Sequence, residues 1–194
     1  MTDLRAAQRE AVRSRIVEAV HLVLIEEHPA TISMPQVADR AGVSLRTLYR
    51  YFPTKGALVD AASGTFAAEP AAAIGGRPTV DTLSTYLGVA WRRFTHERAA
   101  VLAQHMTPAG REIRARRIPG NRAMVRAGLA EAGVDLPEDD LARLVDVLVA
   151  LASSSTYLEL VDRLGHDEDE AAAMAAWAAA AMVERARRDG GVPR

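Results

Sequence analysis

The chain has 194 residues, with 24 basic and 25 acidic side chains and a formal net charge of -1. This balance excludes a protein that coats nucleic acid or an acidic membrane by overall charge, although it leaves room for a local basic patch. The sequence has no cysteine, which excludes disulfides, cysteine nucleophiles and thiolate metal sites. Good helix formers dominate and alternating β-branched segments are missing, so we predict an all-α fold.

The first predicted elements are four helices separated by clear stop signals. Apolar residues recur at three- and four-residue steps over residues 5–27, which predicts one amphipathic helix. Ser33, Ser44 and Thr54 stand where the N-cap residues of three further helices are expected. Gly42 supplies a left-handed turn between the second and third helices, so these two are predicted to form a helix-turn-helix.

Glycine and proline residues between about 63 and 79 predict a domain junction. We place the boundary at 70–78, with one domain over residues 1–70 and a second over residues 78–194. The helices predicted beyond the junction span residues 80–96, 98–106, 111–132, 138–164 and 168–188. Pro119 and Gly120 predict that the third of these helices is kinked or double.

The segment from Val37 to Leu58 reads VADRAGVSLRTLYRYFPTKGAL. It resembles the DNA-binding motif of the TetR (tetracycline repressor) family of bacterial transcriptional regulators, with the AGVS turn, the TLYRYF recognition helix and the following Pro-Thr-Lys at the family's spacing. The resemblance covers residues 10–60, whereas the rest of the chain matches the family only in helical character and length. It implies an N-terminal helix-turn-helix domain, with its motif at about 33–52, followed by a larger α-helical ligand-binding and dimerisation domain.

Helical periodicity divides the third helix into two faces. At about 100° per residue, positions 48, 49 and 52 lie near Leu45 and face inward. The outward face carries Arg46, Thr47, Arg50 and Tyr51. Arg46 and Arg50 are four residues apart, so their guanidinium groups leave the same side of the helix toward base edges or phosphates. A packed αα-hairpin with exposed arginines is the alternative, but packing does not require these residue types at these spacings.

The resemblance assigns further residues to DNA. It implies that Leu45 and Tyr49 meet DNA with the outward face, Tyr49 on a phosphate, and that Ser33 contacts the backbone, with Thr31 a weaker candidate. Lys55, the only lysine, stands in the first turn of the fourth helix, where free N–H groups and the helix dipole favour a phosphate. The predicted DNA-contacting set is Thr31, Ser33, Ser44, Leu45, Arg46, Thr47, Tyr49, Arg50, Tyr51 and Lys55.

The last two long helices are predicted to form a homodimer interface, the role that the resemblance gives to the C-terminal helices. One helix carries a wide apolar stripe, and the other carries small residues that allow close approach of a second copy. The alternative is that both stripes pack inside one subunit. The two stripes are Leu141, Leu144, Val145, Leu148, Val149 and Ala152, and Ala172, Ala175, Ala176, Ala179, Met182 and Val183.

The large aromatic, Met and His side chains of the second half are candidates for an effector pocket, although each is also compatible with ordinary core. They are Tyr86, Trp91, Phe94, His105, Met106, Met124, Tyr157 and Trp177. The hydroxyls of residues 153–156 bind a ligand or satisfy nearby carbonyls, and we favour the second interpretation. The arginines of residues 111–126 form a docking site for an anionic effector or, as we favour, a solvated helix face.

No motif predicts catalysis, because the chain has neither a Gly-x-Ser-x-Gly elbow nor a phosphate-binding glycine loop. The histidine spacing predicts no metal site, and no cofactor is expected. Without a signal peptide or a long apolar run, we expect a cytoplasmic protein with no membrane partner. The resemblance implies a homodimeric repressor of a near-palindromic double-stranded DNA operator, released by a small-molecule effector. The alternatives are an activator or ligand-independent regulator on the same fold, or a helical interaction scaffold that does not bind DNA.

Overall fold

The computed structural model describes residues 2–28, 30–64, 73 and 75–193. These residues form helices and connecting turns without any strand, which confirms the all-α prediction. A π-helical segment, Leu158–Arg163, follows the short helix α9. The α-helices are α1 (Thr2–Glu27), α2 (Met34–Arg40), α3 (Leu45–Tyr51), α4 (Lys55–Gly64), α5 (Leu83–His96), α6 (Arg98–Met106), α7 (Pro108–Glu131), α8 (Glu138–Leu151), α9 (Ser154–Tyr157) and α10 (Glu168–Asp189).

Two of the three predicted caps act through their side chains. The Ser44 hydroxyl accepts a hydrogen bond from the backbone N–H of Thr47 at 3.0 Å, and the Thr54 hydroxyl accepts one from Ala57 at 3.1 Å. Ser33 stands at the N-cap of α2, but its side chain makes no capping hydrogen bond. The position of the cap is therefore as predicted but the side-chain bond is not formed; Pro35 removes one of the two N–H groups that such a cap can bind, and the other belongs to Gln36.

The chain divides into two compact units. The first unit consists of Met1–Thr65 and Arg98–Arg117, and the second consists of Phe66–Glu97 and Ile118–Arg194. The predicted domain boundary at 70–78 falls partly on residues 70–72 and 74, which lie outside the described residues, and it stays a prediction. Residues 98–117, which follow that boundary in the chain, cluster with the first unit.

The first unit is built around apolar side chains from α1, α2, α3 and α4 together with α6 and the start of α7. The largest completely buried members are Ile16, Leu24, Leu48, Leu58 and Ile113. Leu48 of α3 and Leu58 of α4 both enter this core, and there α3 packs against α2 while α4 packs against α1. The opposite side of α3 therefore remains accessible.

The turn between α6 and α7 places two backbones in unusually close contact. A Cβ atom on Gly110 would lie 2.3 Å from Cα of Gln104, so only glycine fits there. Thr107 secures the same turn, because its hydroxyl donates to the carbonyl of Ala103 at 2.9 Å and accepts from the Gly110 N–H at 3.0 Å. This turn therefore fixes the direction in which α7 leaves the first unit's core.

In the second unit, α10 packs along α5 through its alanine-rich face. The apolar residues of α8 and the C-terminal half of α10 share a second core cluster with Leu129. The small alanine side chains let the helices approach closely within one chain, so most of the two predicted dimer stripes is internal core. The buried members are Leu144, Val145, Leu148, Ala172, Ala175, Ala176, Ala179 and Val183.

The helix predicted over 138–164 is broken in the structure. α8 ends at Leu151, and the Ser153 hydroxyl accepts hydrogen bonds from the N–H groups of Ser155 and Thr156 to begin α9. Thr156 in turn donates to the carbonyl of Ala150 at 2.7 Å, so these hydroxyls serve the backbone, as we favoured. By contrast, α7 continues through Pro119 as one helix.

No single described helix is both long and apolar enough to cross a membrane. The segments Glu138–Leu151 and Ser154–Arg163 satisfy the same length and composition criteria only when taken together, across a bend of 44°.

Candidate nucleic-acid interface

The predicted helix-turn-helix consists of α2, a tight turn and α3. Gly42 has a φ of +63°, the left-handed conformation that favours glycine. The N–H groups of Gly42 and Val43 close the turn by donating to the carbonyls of Asp39 and Ala38 at 3.1 and 3.0 Å. The turn therefore redirects the chain and positions Ser44 to begin α3.

The side chains of α3 separate into a narrow buried seam and a broad exposed face. Leu48 and the C-cap residue Phe52 are buried in the first unit's core. Leu45 and Tyr49 are 40% and 45% exposed, so the helical-wheel prediction that both face inward is wrong. A seven-residue helix that contacts its core through two positions leaves both of these residues outside the seam. Their outward placement agrees with the DNA contacts that the family resemblance implies.

The exposed face of α3 is positively charged. No acidic residue occurs between Asp39 and Asp60, and both Arg46 and Arg50 are exposed. The Arg50 guanidinium lies 5.5 Å from the centroid of the Tyr51 ring, a cation–π contact that orients it along the helix surface. Cationic donors without nearby carboxylates on the same helix suit phosphates and guanine edges.

The hydroxyl-bearing candidates lie at the starts of α2 and α3. The hydroxyls of Ser44 and Thr47 are 2.8 Å apart, and both lie at the first turn of α3. Thr31 is exposed and Ser33 half-buried just before α2. Tyr51 is half-buried and packs against the core, so less of its side chain is accessible than that of Tyr49.

Lys55 is not an isolated cation. Its Nζ lies 3.9 Å from a carboxylate oxygen of Glu112 on α7, within the first unit. Glu112 also pairs with Arg116 at 3.6 Å, and Arg116 pairs with Asp60 at 3.1 Å. Sequence analysis missed this alternating charge cluster because its two halves are more than fifty residues apart. An exposed pair of this kind contributes about 0–1 kcal/mol, so a phosphate can displace Glu112 from Lys55.

Three of the predicted pocket residues form a buried aromatic cluster in the second unit. The Tyr157 ring meets those of Trp91 and Phe94 edge to face, with centroids 6.1 and 5.5 Å apart. The Tyr157 hydroxyl lies 2.9 Å from that of Thr95, which donates to the Glu168 carboxylate at 2.6 Å. The hydroxyl groups of Tyr157 and Thr95 therefore form the polar edge of this cluster, and Glu168 holds them in place.

The other five pocket candidates are dispersed. Tyr86 donates to the sulfur of Met124 at 3.8 Å, and its burial raises the pKa of its hydroxyl. His105 belongs to the first unit. Met106 and Trp177 are 71% and 76% exposed, which does not fit the lining of an internal pocket. A pocket among the remaining side chains stays a prediction.

Several arginines of residues 111–126 bind other groups of the chain. Arg117 donates to the carbonyl of Ser63 at 2.7 Å and to the side chain of Gln104 at 2.9 Å, and burial lowers its pKa to about 10. Arg122 binds both carboxylate oxygens of Asp146, at 2.6 and 3.0 Å. Arg126 binds Glu138 in the same bidentate way. Arg122 and Arg126 are solvated, as we favoured for this face, and they also connect α7 to α8 and to its first turn.

Fold and surface together define an α-helical protein whose helix-turn-helix presents a basic recognition helix to solvent. Residues 16–62 match the family model described as bacterial regulatory proteins, tetR family. The N-terminal domain therefore belongs to the TetR family, and the chain as a whole has the fold of TetR-family regulators.

Over 58 residues, the chain is 45% identical to the HTH-type transcriptional repressor KstR of Mycobacterium tuberculosis, covering 30% of this chain and 26% of that protein. Over another 58-residue alignment it is 41% identical to an uncharacterized HTH-type transcriptional regulator of the same species, covering 29% of each. The chain thus spans less than a third of the length of the curated relatives that it matches.

Among solved structures, the chain resembles a tetR-family transcriptional regulator from Streptomyces coelicolor with a TM-score of 0.63 and 22% identity, covering 93% of this chain and 84% of that one. It also resembles RolR in complex with resorcinol, with a TM-score of 0.53, 18% identity and 97% coverage of both chains. At these identities, the likeness concerns the fold.

Proposed function

We propose that this chain is a homodimeric transcriptional repressor that binds a near-palindromic DNA operator and is released by a small-molecule effector. The observation that carries the proposal is the exposed, acid-free face of α3, which joins Arg46 and Arg50 to the outward side chains of Leu45 and Tyr49. The relative KstR, named a repressor, supports the sign of regulation.

Specificity comes from the guanidinium groups of Arg46 and Arg50. Bidentate contact of an arginine with guanine is worth about 1–3 kcal/mol of discrimination against the wrong base, and Leu45 is placed to meet a thymine methyl. Tyr49 contacts a phosphate, and Lys55 exchanges its contact with Glu112 for another. These phosphate contacts set the register of α3 in the major groove, while the base contacts select the sequence.

Dimerisation uses exposed residues of the same two long helices, α8 and α10, rather than the buried part of the predicted stripes. Met174, Trp177 and Met182 project from the side of α10 that does not enter the core, and Val147 is exposed on α8. Large apolar side chains in water favour burial against a partner, and a second copy supplies it symmetrically. A single short recognition helix also needs a second copy, about one turn of DNA away, for sufficient affinity.

The effector acts through the second unit, which holds the aromatic cluster of Trp91, Phe94 and Tyr157. RolR, a structural neighbour, carries resorcinol. Coupling between an effector site and DNA of about 1–3 kcal/mol lowers operator affinity about 5- to 150-fold. Fragments that stay bound in the presence of every candidate compound would favour a ligand-independent regulator on the same fold.

The decisive experiment selects preferred fragments from a random DNA pool and then measures their affinity for variants. Alanine at both Arg46 and Arg50 should abolish the preference for the selected sequence and leave the circular dichroism melt nearly unchanged. Alanine at Arg77 and Arg163, two exposed arginines of the second unit, removes the same charge and serves as the control. Undiminished operator binding by the Arg46 and Arg50 variant would refute the assignment of α3.

A further inference from the structure

The first turns of α1 extend beyond the core of the first unit. Residues 6–11 and 13–15 are exposed, and Ile16 is the first buried side chain of the helix. This segment carries Arg9, Arg13 and Arg15 against a single acidic residue, Glu10. It is therefore a basic, solvated extension of the helix that the core does not use.

Arg13 connects this extension to the recognition helix. Its guanidinium lies 5.5 Å from the centroid of the Phe52 ring, and Phe52 is the C-cap of α3. Phe52 is itself buried, so the ring provides a fixed platform for the cation. A guanidinium over a ring keeps N–H donors at its edge, where they remain available to an anion.

Two guanidinium groups from different helices thus lie on consecutive aromatic residues. Arg50 lies over Tyr51, and Arg13 lies over Phe52, each at 5.5 Å. Arg9 is one turn before Arg13 on the same face of α1, about 6 Å away along the helix axis. Arg13 thus places a cation of α1 at the C-terminal end of α3.

Glu10, the one acidic residue in this segment, leaves Arg13 able to bind an anion. Glu10 pairs with Arg13 at 3.6 Å, and both side chains are about half or more exposed. Exposed pairs of this kind are weak, and a DNA phosphate is a stronger partner for a guanidinium than a solvated carboxylate in the same position.

We propose that Arg13, extended by Arg9, binds the DNA backbone beside the bases that α3 contacts, so that α1 is a second DNA-binding element of this chain. The inference rests on the proposed DNA-binding function and adds a phosphate site to it. Since phosphates carry no sequence information, this site raises affinity for all sequences equally.

The test compares two matched variants of the full chain, Arg13→Met and Arg15→Met. Both remove one positive charge from exposed positions of α1 and keep an unbranched side chain. Arg15 is rotated by about 200° from Arg13 around the helix and points away from Phe52. Affinities for a selected fragment and for an unrelated fragment are measured by fluorescence anisotropy over a series of salt concentrations.

Arg13→Met should weaken binding to both fragments about fivefold at ~0.15 M salt and reduce the slope of log affinity against log salt by about 0.9. The double variant with Arg9→Met and Arg13→Met should reduce the salt slope by about twice as much. Arg15→Met should change little, and circular dichroism melts confirm that each variant folds.

Equal effects of Arg13→Met and Arg15→Met, or an unchanged salt slope for Arg13→Met, would overturn the inference while leaving the proposed function intact. If the unsubstituted chain selects no DNA sequence at all, the proposed function itself fails. Loss of sequence preference, rather than of affinity, in Arg13→Met would also contradict a phosphate contact.

Discussion

Leu48 and Phe52 decide what the recognition helix can present. Leu48 within α3 and Phe52 at its C-cap are buried in the core of the first unit, and Leu45, Arg46 and Tyr49 are left outside that core. Phe52 has a second consequence, because its ring also fixes the guanidinium of Arg13. Phe52 therefore has two roles: it fills the core of the first unit, and it holds a positive charge at the surface of that unit.

His105 makes the stability of the chain depend on pH. Burial, and then the nearby charges of Arg114 and Arg117, lower its pKa from 6.5 to about 4. The unfolded chain therefore takes up a proton at higher pH than the folded chain does. The contribution of His105 to the free energy of unfolding is therefore fully present above about pH 6.5, and it is lost as the pH falls toward 4.

We expect His105→Gln to make the free energy of unfolding vary less with pH between pH 7 and 5, a range in which few carboxylates titrate. Urea unfolding at several pH values measures it, and His96→Gln, which replaces an exposed histidine, is the control. If the free energy of unfolding of the two variants changes equally with pH, His105 is not the group responsible.

Two residues that act on their own turn were predictable, whereas residues that act across the chain were not. Ser44 and Thr54 bind N–H groups three residues away, so the sequence pattern alone identifies them as caps. The partners of Lys55 and Arg13 depend on how distant helices pack, and nothing near them in the chain indicates Glu112 or Phe52. The DNA-contacting set therefore remains a prediction, and the structure shows which residues from distant helices lie beside its members.

At the scale of elements, the alanine-rich face of α10 shows where periodicity misleads. A stripe of small residues predicts close approach of another helix but does not say whether that helix belongs to the same chain. Here α5 supplies the partner within the chain, and the larger exposed residues of α10 around Trp177 are left for the proposed interface. The break at Ser153 was hidden for a related reason, since a serine is compatible with both helix interior and cap.

α7 contains an element-scale test at Pro119, which is exposed inside a continuous helix. Proline in a helix interior is about 3 kcal/mol less favourable than alanine. Proline also restricts the unfolded chain, which offsets roughly 1 kcal/mol of that cost. Pro119→Ala should therefore raise the free energy of unfolding by about 2 kcal/mol.

The neighbouring Gly120→Ala serves as a comparison, because a Cβ at Gly120 meets no atom within 4 Å. It should stabilise the chain by about 1 kcal/mol through helix propensity alone. Both changes are measured by thermal or urea unfolding. A smaller gain from Pro119→Ala than from Gly120→Ala would mean that the surrounding backbone is adapted to proline.

For the whole molecule, a net charge of -1 is compatible with DNA binding because the charge is unevenly placed. Arg116, Arg122 and Arg126 of α7 pair with carboxylates, whereas the exposed cations of α3 and the start of α1 face few acidic residues. In the proposed homodimer, affinity for DNA depends on a few contacts in each copy and on the geometry that joins the two copies. We expect such a protein to bind DNA poorly as a monomer.

Trp177 provides the test of that geometry, because it is the most exposed large apolar side chain on α10, at 76%. A glutamate there places a charge in the proposed interface of two copies. We expect Trp177→Glu to weaken dimerisation by at least about 2 kcal/mol, as for the central residue of an interface, or roughly a 30-fold rise in the dimer Kd. Sedimentation velocity at micromolar concentration measures the change.

Met106→Glu is the matched control, since Met106 is 71% exposed but belongs to the first unit rather than to α8 or α10. It should leave the dimer intact. Because Trp177 is solvated in the single chain, its substitution should also leave the circular dichroism spectrum unchanged, which separates dissociation from unfolding. Operator affinity should fall in parallel with dimerisation, and a Trp177→Glu variant that remains dimeric would place the interface elsewhere.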